Sequence, residues 1–191
     1  QGFRNLSYVG FDIAGWQILY VSAAAEAEGD GTEAAPFQRL DTAVAAAAND
    51  STVIVLAPGE YEGGIEIRRS IVLLGAGVDS TRIVGQADVP SIRIAGSDVQ
   101  RAALAWLSID GGAPALDVDR IRELNLMHVR IQRGQQTGLR VVGVNTAAAL
   151  CSAIEDTQAT DDTPGAHVEV KSAGLALFKS RIRGRSVGGL R

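Results

Sequence analysis

The chain has 191 residues, enough for one domain of ordinary size, and with 46% hydrophobic but only 5% aromatic residues its core must be largely aliphatic. No apolar run is long enough to span a bilayer, and the single cysteine, Cys151, excludes an internal disulfide. The net charge of −4, with no aromatic residues interleaved among the arginines, argues against a nucleic-acid partner.

The charge is unevenly distributed along the chain. Residues 1–119 hold 7 Lys and Arg against 16 Asp and Glu, whereas residues 120–191 hold 11 against 6. A polarised solvated surface accounts for this difference. The alternatives are an anionic partner for the second half, or head-to-tail contact between the unlike ends.

Two regions are expected in chain order. Residues 1–19 are predicted to form an N-terminal strand or arm, and residues 20–191 a single β-rich domain. A strand is predicted to begin at Tyr20. The stretch from Ala23 to Ala35 is rich in glycine and acidic residues, which predicts a loop.

One helix is predicted, near residues 38–48, where alanine, the best helix former, dominates. Its apolar residues recur at helical spacing: Leu40, Ala43, Val44, Ala47. Asn49-Asp50 is expected to end it. The helix precedes the first regular strands, so we expect its face of Leu40, Val44 and Ala47 to cap strand edges that would otherwise be open.

From Val53 onward, short strands alternate with turns, and two series of strands keep nearly the same period. The first series has leading apolar residues 23 to 29 positions apart: Ile65, Ile92, Leu116, Leu139, Val168. The second has isoleucines 22 to 28 positions apart: Ile109, Ile131, Ile154, Ile182. An all-β repeat of about two dozen residues predicts a parallel β-helix, in which each coil stacks on the next and like side chains form inward ladders.

Residues 29–77 carry a run of motifs in a distinctive order. They are Gly31-Thr32, Pro36-Phe37, the alanine-rich helix, the strand 53–56, Pro58-Gly59-Glu60-Tyr61 and Leu73-Leu74-Gly75. This stretch resembles the N-terminal part of pectin-lyase-like right-handed parallel β-helix proteins. The resemblance implies an all-β, right-handed, single-stranded parallel β-helix with an N-terminal capping α-helix, in proteins that are often extracellular and often meet polysaccharide. It implies no activity, because many such modules carry none.

Galacturonan hydrolases of this fold carry catalytic motifs of which this chain has only fragments. The fragments are Asn145-Thr146, Asp161-Asp162, Gly165-Ala166-His167 and Arg181-Ile182-Arg183. Ala147 stands where the first motif has aspartate, and the spacings are shorter than one coil. Residues 161–165 are better interpreted as a turn. We therefore assign no catalytic residue and favour a non-enzymatic chain.

Calcium is the one cofactor that the sequence leaves open. Its candidate ligands are Glu26, Glu28, Asp30 and Glu33. The loop lacks the spacing of an EF-hand, and its Asp-Gly-Thr sequence suits a plain turn before the helix. No metal site is assigned.

Two reactive residue types are interpreted as structural. His128 alternates with Met127 and Val129, which predicts a solvated side chain without a partner. Cys151 stands in an apolar run, which predicts a buried, inert thiol.

An outer strip is predicted beside the inward isoleucines of the second series. It comprises Asp110, Arg130, Gln132, Glu155, Arg181 and Arg183. Acid, amide and arginine groups in a ladder can form a shallow sugar- or anion-binding surface. The alternative is a soluble surface that opposes edge pairing.

Three functions are compatible with these features. The favoured one is a non-catalytic secreted or cell-surface β-helix module with a structural, adhesive or glycan-contact role. The second is a fragment of a polysaccharide lyase or glycoside hydrolase. The third is a subunit of a larger extracellular or periplasmic assembly, with oligomers formed through an uncapped C-terminal end. Expected partners are polysaccharide or other protein subunits.

Overall fold

The structure, a computed structural model, describes residues 13, 15–48, 51–155, 168–171 and 174–183. This part of the chain contains one helix, α1 (Leu40–Ala46), and sixteen strands. The strands are β1 (Gln17–Val21), β2 (Thr52–Leu56), β3 (Gly59–Glu62), β4 (Ile65–Ile67), β5 (Ile71–Leu74), β6 (Thr81–Val84), β7 (Ile92–Ala95), β8 (Arg101–Asp110), β9 (Leu116–Asp119), β10 (Glu123–Gln132), β11 (Leu139–Val142), β12 (Thr146–Leu150), β13 (Ala153–Glu155), β14 (Val168–Lys171), β15 (Leu175–Phe178) and β16 (Arg181–Arg183).

The strands form a parallel β-solenoid of about five turns, as predicted. Each strand pairs with the equivalent strand one turn along the chain, and together they make three faces. The first face is β1, β2, β5, the first halves of β8 and β10, β12 and β15. The second face is β3, β6, the second halves of β8 and β10, β13 and β16. The third face is β4, β7, β9, β11 and β14.

Both predicted strand series are confirmed as inward columns of the solenoid. On the third face, the five leading residues from Ile65 to Val168 stand in register and are at most 5% exposed. On the second face, the isoleucines from Ile109 to Ile182 stand in register, and Tyr61 and Ile83 extend the column upstream. Burying each such side chain contributes about 1.5–3 kcal/mol.

The upstream strands of the first face, from β2 to the first half of β8, are buried on both sides, which is why sequence periodicity did not reveal a third series. Every residue of β2 is buried. The outward Val53, Val55, Val72 and Leu74 are fully buried, and form a second apolar cluster against which Trp16 packs. A strand that is apolar on both sides loses the period-two alternation by which half-buried strands are recognised.

Helix α1 confirms the helix predicted near residues 38–48, and it packs against β1 and β4 at the N-terminal end of the solenoid. Its buried face differs slightly from the prediction, because Ala43 is buried while Val44 is only half-buried. Asn49-Asp50 lies outside the described residues. Among those residues, no helix is long and apolar enough to cross a membrane.

Strand β1 joins the first face by pairing with β2 from Gln17 onward. The expected boundary between residues 19 and 20 therefore falls inside this strand. Residues 1–12 and 14, which make up most of the predicted arm, lie outside the described residues.

The outward residues at the centre of the third-face strands alternate in charge from one turn to the next. In register they are Glu66, Arg93, Asp117, Arg140 and Glu169. The Asp117 carboxylate accepts from Arg93 Nη1 at 2.6 Å and from Arg140 Nη1 at 2.7 Å, and its side chain is 3% exposed. The hydrogen bond to Asp117 raises the pKa of Arg140. This charge ladder favours the observed register, since opposite charges on neighbouring strands attract.

Tyr61 is the first inward residue of the second face, and its phenol side chain is buried. Its hydroxyl donates to the carbonyl of Ala57 at 2.8 Å and also lies 3.2 Å from that of Val21. Burial raises the pKa of Tyr61 to about 12. Folding therefore favours the neutral phenol.

Tyr61→Phe is expected to reduce the loss of stability at alkaline pH. Below about pH 10 the phenol is neutral in both states, so its contribution is complete. As pH rises from about 10 to about 12, the unfolded phenol ionises first, and up to about 2–3 kcal/mol of stability is lost. Urea unfolding between pH 8 and 11.5 measures how the free energy of unfolding falls with pH. The variant should make this dependence flatter. Its loss of the hydroxyl hydrogen bond should cost about 1 kcal/mol at every pH.

Tyr20→Phe is the control for this experiment. The pKa of Tyr20 is also raised, chiefly by burial and then by Glu33, but the residue is only partly buried. We expect it to account for the smaller part of the alkaline slope. An unchanged slope in Tyr61→Phe would contradict the assignment.

Candidate functional site

All six residues of the predicted outer strip lie on the second face, in two adjacent columns. The first column runs Glu60, Arg82, Ser108, Arg130, Ala153, Arg181. The second runs Glu62, Val84, Asp110, Gln132, Glu155, Arg183. The acidic start of both columns was missed by sequence reasoning. These acidic residues could have been found by extending the inward isoleucine series upstream to Ile83 and Tyr61, which keep nearly the same period.

Asp110 faces outward but is covered by neighbouring side chains, and its carboxylate is 4% exposed. Gln132 Nε2 donates to it at 3.1 Å, and Arg133 donates from Nε at 2.6 Å and from Nη2. Arg82 Nη1 lies 3.5 Å away. Both carboxylate oxygens therefore have partners within the chain.

Three of the other charged groups of the strip, Arg130, Glu155 and Arg181, also have partners. Arg130 Nη1 donates to Asp79 at 2.5 Å. Arg181 bonds Glu155 through Nε at 2.6 Å and through Nη2 at 2.5 Å. Arg183 is exposed. Since the central charges are satisfied by the protein itself, the strip has less charge to offer a ligand than its composition suggests.

A column of four residues with left-handed backbone forms the corner between the first and second faces. They are Trp106, His128, Cys151 and Lys179, with φ of 58°, 51°, 49° and 49°. The flanking register places them in line on successive turns. Residues other than glycine rarely adopt this conformation, and such strained residues cluster at binding and active sites. We call these four residues the corner column.

Three of the four residues in the corner column have aromatic or basic side chains. The rings of Trp106 and His128 stack with centroids 3.9 Å apart and an interplanar angle of 13°. His128 is therefore half-buried with a stacking partner, which corrects the prediction of a solvated residue. Cys151 is also half-exposed at this corner instead of buried, because the turn there points its side chain away from the core.

An open groove of about 320 Å³ runs beside the corner column, and we call it the corner groove. The polar residues that line it are His128, Arg130, Cys151, Ser152, Lys179, Ser180 and Arg181. On its first-face side, the outward residues Met127, Leu150 and Phe178 form a column of rising exposure, and Phe178 is 62% exposed. Lys179 Nζ lies 5.7 Å from the centre of the Phe178 ring. An exposed aromatic ring therefore lies next to Lys179, one of the cationic residues that line the groove.

Two further grooves, of about 330 and 340 Å³, flank helix α1. The first is lined by acidic groups that are already engaged: Glu60 bonds Arg82, and Asp41 bonds Arg39. Neither groove contains an exposed aromatic ring or a column of strained residues.

The acidic loop that was considered for calcium uses two of its carboxylates to hold its own conformation. Asp30 accepts from the backbone and hydroxyl of Thr32, at 3.0 and 2.8 Å, which lowers the pKa of Asp30. Glu28 accepts from the backbone of Gln38. In the part of the chain that the structure describes, no three His, Cys, Asp or Glu side chains are grouped to hold a metal ion.

The fragments of hydrolase motifs are only partly described. Asn145 is exposed in the turn before β12, and Arg181 and Arg183 belong to β16. Residues 156–167, which include Asp161-Asp162 and His167, lie outside the described residues.

Neither protein-family models nor curated proteins match this sequence. The candidate site therefore rests on the geometry of the corner groove and of the outer strip.

Proposed function

We propose that this chain is a non-catalytic β-solenoid module of a secreted or cell-surface protein, and that its corner groove contacts glycan. The observation that carries the proposal is the exposed Phe178 ring, which lies next to Lys179, a residue that lines the corner groove together with Arg181. The face of an aromatic ring carries partial negative charge, which attracts the C–H groups on the apolar side of a sugar. The flanking polar groups can then bind hydroxyl or acidic substituents.

The fold and the stretch 29–77 support the finer parts of this proposal. The parallel β-solenoid and the short N-terminal helix agree with a pectin-lyase-like module, and the location outside the cell rests on that resemblance. A non-catalytic role is supported by the carboxylates of Asp110 and Asp117, since both are held by arginines. A glycosidase needs carboxyl groups that face a substrate cleft on either side of the scissile bond.

Phe178→Ala is expected to weaken glycan binding roughly two- to tenfold, since an aromatic contact contributes roughly 0.5–1.5 kcal/mol. Affinity gel electrophoresis against a panel of neutral and acidic polysaccharides measures the retention of the wild-type chain and of the variant. Val89→Ala is the matched control, because Val89 is an exposed apolar residue, 42% accessible, in a loop after β6.

Two results would count against the proposal. One is a wild-type chain that no polysaccharide of the panel retains, and the other is equal retention of Phe178→Ala. The release of new reducing ends or unsaturated sugars during incubation would instead favour the lyase or hydrolase alternative.

A further inference from the structure

The outward charges of the second face reverse in sign from one end of the solenoid to the other. The six strands of this face, from β3 to β16, form six rungs. The first rung presents Glu60 and Glu62, whose side chains are 65% and 62% exposed. The sixth presents Arg181, 60% exposed, and Arg183, also exposed. Register places Glu60 in the column of Arg181, and Glu62 in the column of Arg183.

We propose that the second face docks against the same face of a second copy of this chain, with the two solenoids antiparallel. The two-fold axis would run along the strand direction, midway between the third and fourth rungs. This operation reverses the rungs and keeps the columns, so Glu60 faces Arg181 and Glu62 faces Arg183, each pair occurring twice. Both ends of the interface then bring opposite charges together.

The middle of the face is compatible with this arrangement. Ser108 and Asp110, on the third rung, are each 3% exposed and covered by side chains of their own chain, so no uncompensated charge of that rung meets Arg130 and Gln132 on the partner's fourth rung. The remaining rungs pair Arg82 with Ala153 and Val84 with Glu155. Like charges do not meet within the two columns. A parallel arrangement would instead place the two acidic rungs together and the two basic rungs together, which costs free energy.

The third face provides an internal comparison, because it also carries a column of charged residues, but in a different order. The same two-fold operation applied there would place Glu66 on Glu169, Arg93 on Arg140, and Asp117 on its own copy. All of these are like-charged contacts. The second face is therefore self-complementary in a way that the third face is not.

The charges at the end rungs already have partners within the chain, but they can accept more. Glu60 bonds Arg82, and Arg181 bonds Glu155. A guanidinium group has five N–H donors and a carboxylate about four acceptor sites, so each can bind a second partner. With strands about 4.8 Å apart, the end rungs lie about 24 Å apart. The interface would be small and charged, and the dimer weak and sensitive to salt.

Charge reversal at the two ends tests this arrangement. Sedimentation equilibrium at low ionic strength is expected to show a dimer for the wild-type chain, and monomer in about 1 M salt, where the Debye length is about 3 Å. The double variants Glu60→Lys/Glu62→Lys and Arg181→Glu/Arg183→Glu are each expected to dimerise at least ~10-fold more weakly, since like charges then meet at both ends. An equimolar mixture of the two variants should recover the dimer, because each reversed end meets its opposite.

The mixture also shows that both variants are folded, since only folded faces can pair. Arg68→Glu/Lys171→Glu, at exposed positions on the third face, is the matched control and should dimerise as the wild type does. A wild-type chain that is monomeric at low salt would overturn the inference. So would a dimer that both double variants retain, or variants that fail to associate when mixed. Arg181 belongs both to the corner groove and to the docking face, so the two proposals are separated by Phe178→Ala, which changes only the first face and should leave dimerisation as in the wild type.

Discussion

Replacing Ile109 by alanine is expected to lower the free energy of unfolding by about 2–5 kcal/mol. Ile109 is fully buried in the middle of the inward column of the second face, between Ile83 and Ile131. Its neighbours are held in place by the strand pairing above and below, so the cavity cannot close by a local shift. Urea unfolding followed by circular dichroism measures the loss.

Ile182→Ala is the control, since it removes the same side chain from the last rung of the same column. Ile182 is only half-buried, and its strand β16 pairs with β13. We expect a cost of less than about 1.5 kcal/mol, because less apolar surface returns to water. In a solenoid each turn is stabilised by its neighbours, so a residue with a turn on both sides should matter more than one in the last rung. Equal losses of unfolding free energy at the two positions would contradict this expectation.

Gly112→Ala is expected to be at least as severe, at about 3–5 kcal/mol, because two penalties combine there. Gly112 has a φ of +85°, in the left-handed region, and a Cβ would lie 2.4 Å from Ser91 Oγ and 2.6 Å from Ser91 N. The backbone nitrogen cannot move without breaking the turn between the second and third faces. The thermal unfolding midpoint and urea titration both report the loss.

Gly64→Ala separates the two penalties. Gly64 has nearly the same φ, +84°, but a Cβ there would meet nothing within 4 Å. It should cost only the conformational term of about 1–2 kcal/mol. If the two variants were equally destabilised, the close approach of Ser91 would not contribute.

Much of the fold could be predicted because half-buried strands carry a period-two pattern. Ile65, Ile92 and their equivalents stand in register on the third face, as their spacing predicted. The upstream strands of the first face could not be recognised in the same way, since Val53 and Val55 point outward and yet are buried. Burial on both sides depends on the tertiary structure and leaves no alternation in the sequence.

The candidate site was predictable in its alignment but not in its contacts. The column of Asp110, Gln132 and Glu155 followed from the stacking of the isoleucines beside them. The partners that satisfy these charges come partly from corners and loops, as Arg133 and Asp79 do. Spacing within strands does not determine how far such loop residues reach.

The corner column was missed for a different physical reason. Left-handed backbone is usually predicted from glycine, or from asparagine and aspartate, because these residues adopt it most readily. Trp106, His128, Cys151 and Lys179 give no such signal, and only the stacking of successive turns places them in one line. The groove that they border therefore emerges from the three-dimensional structure alone.

The charge ladder of the third face limits how this chain can gain or lose length. Removing the single turn that carries Asp117 would bring Arg93 next to Arg140, and copying one interior turn would likewise set two like charges side by side. Removing or copying two successive interior turns keeps acid next to base. Changes in the length of this solenoid are therefore subject to a parity rule, in which interior turns are tolerated in even numbers.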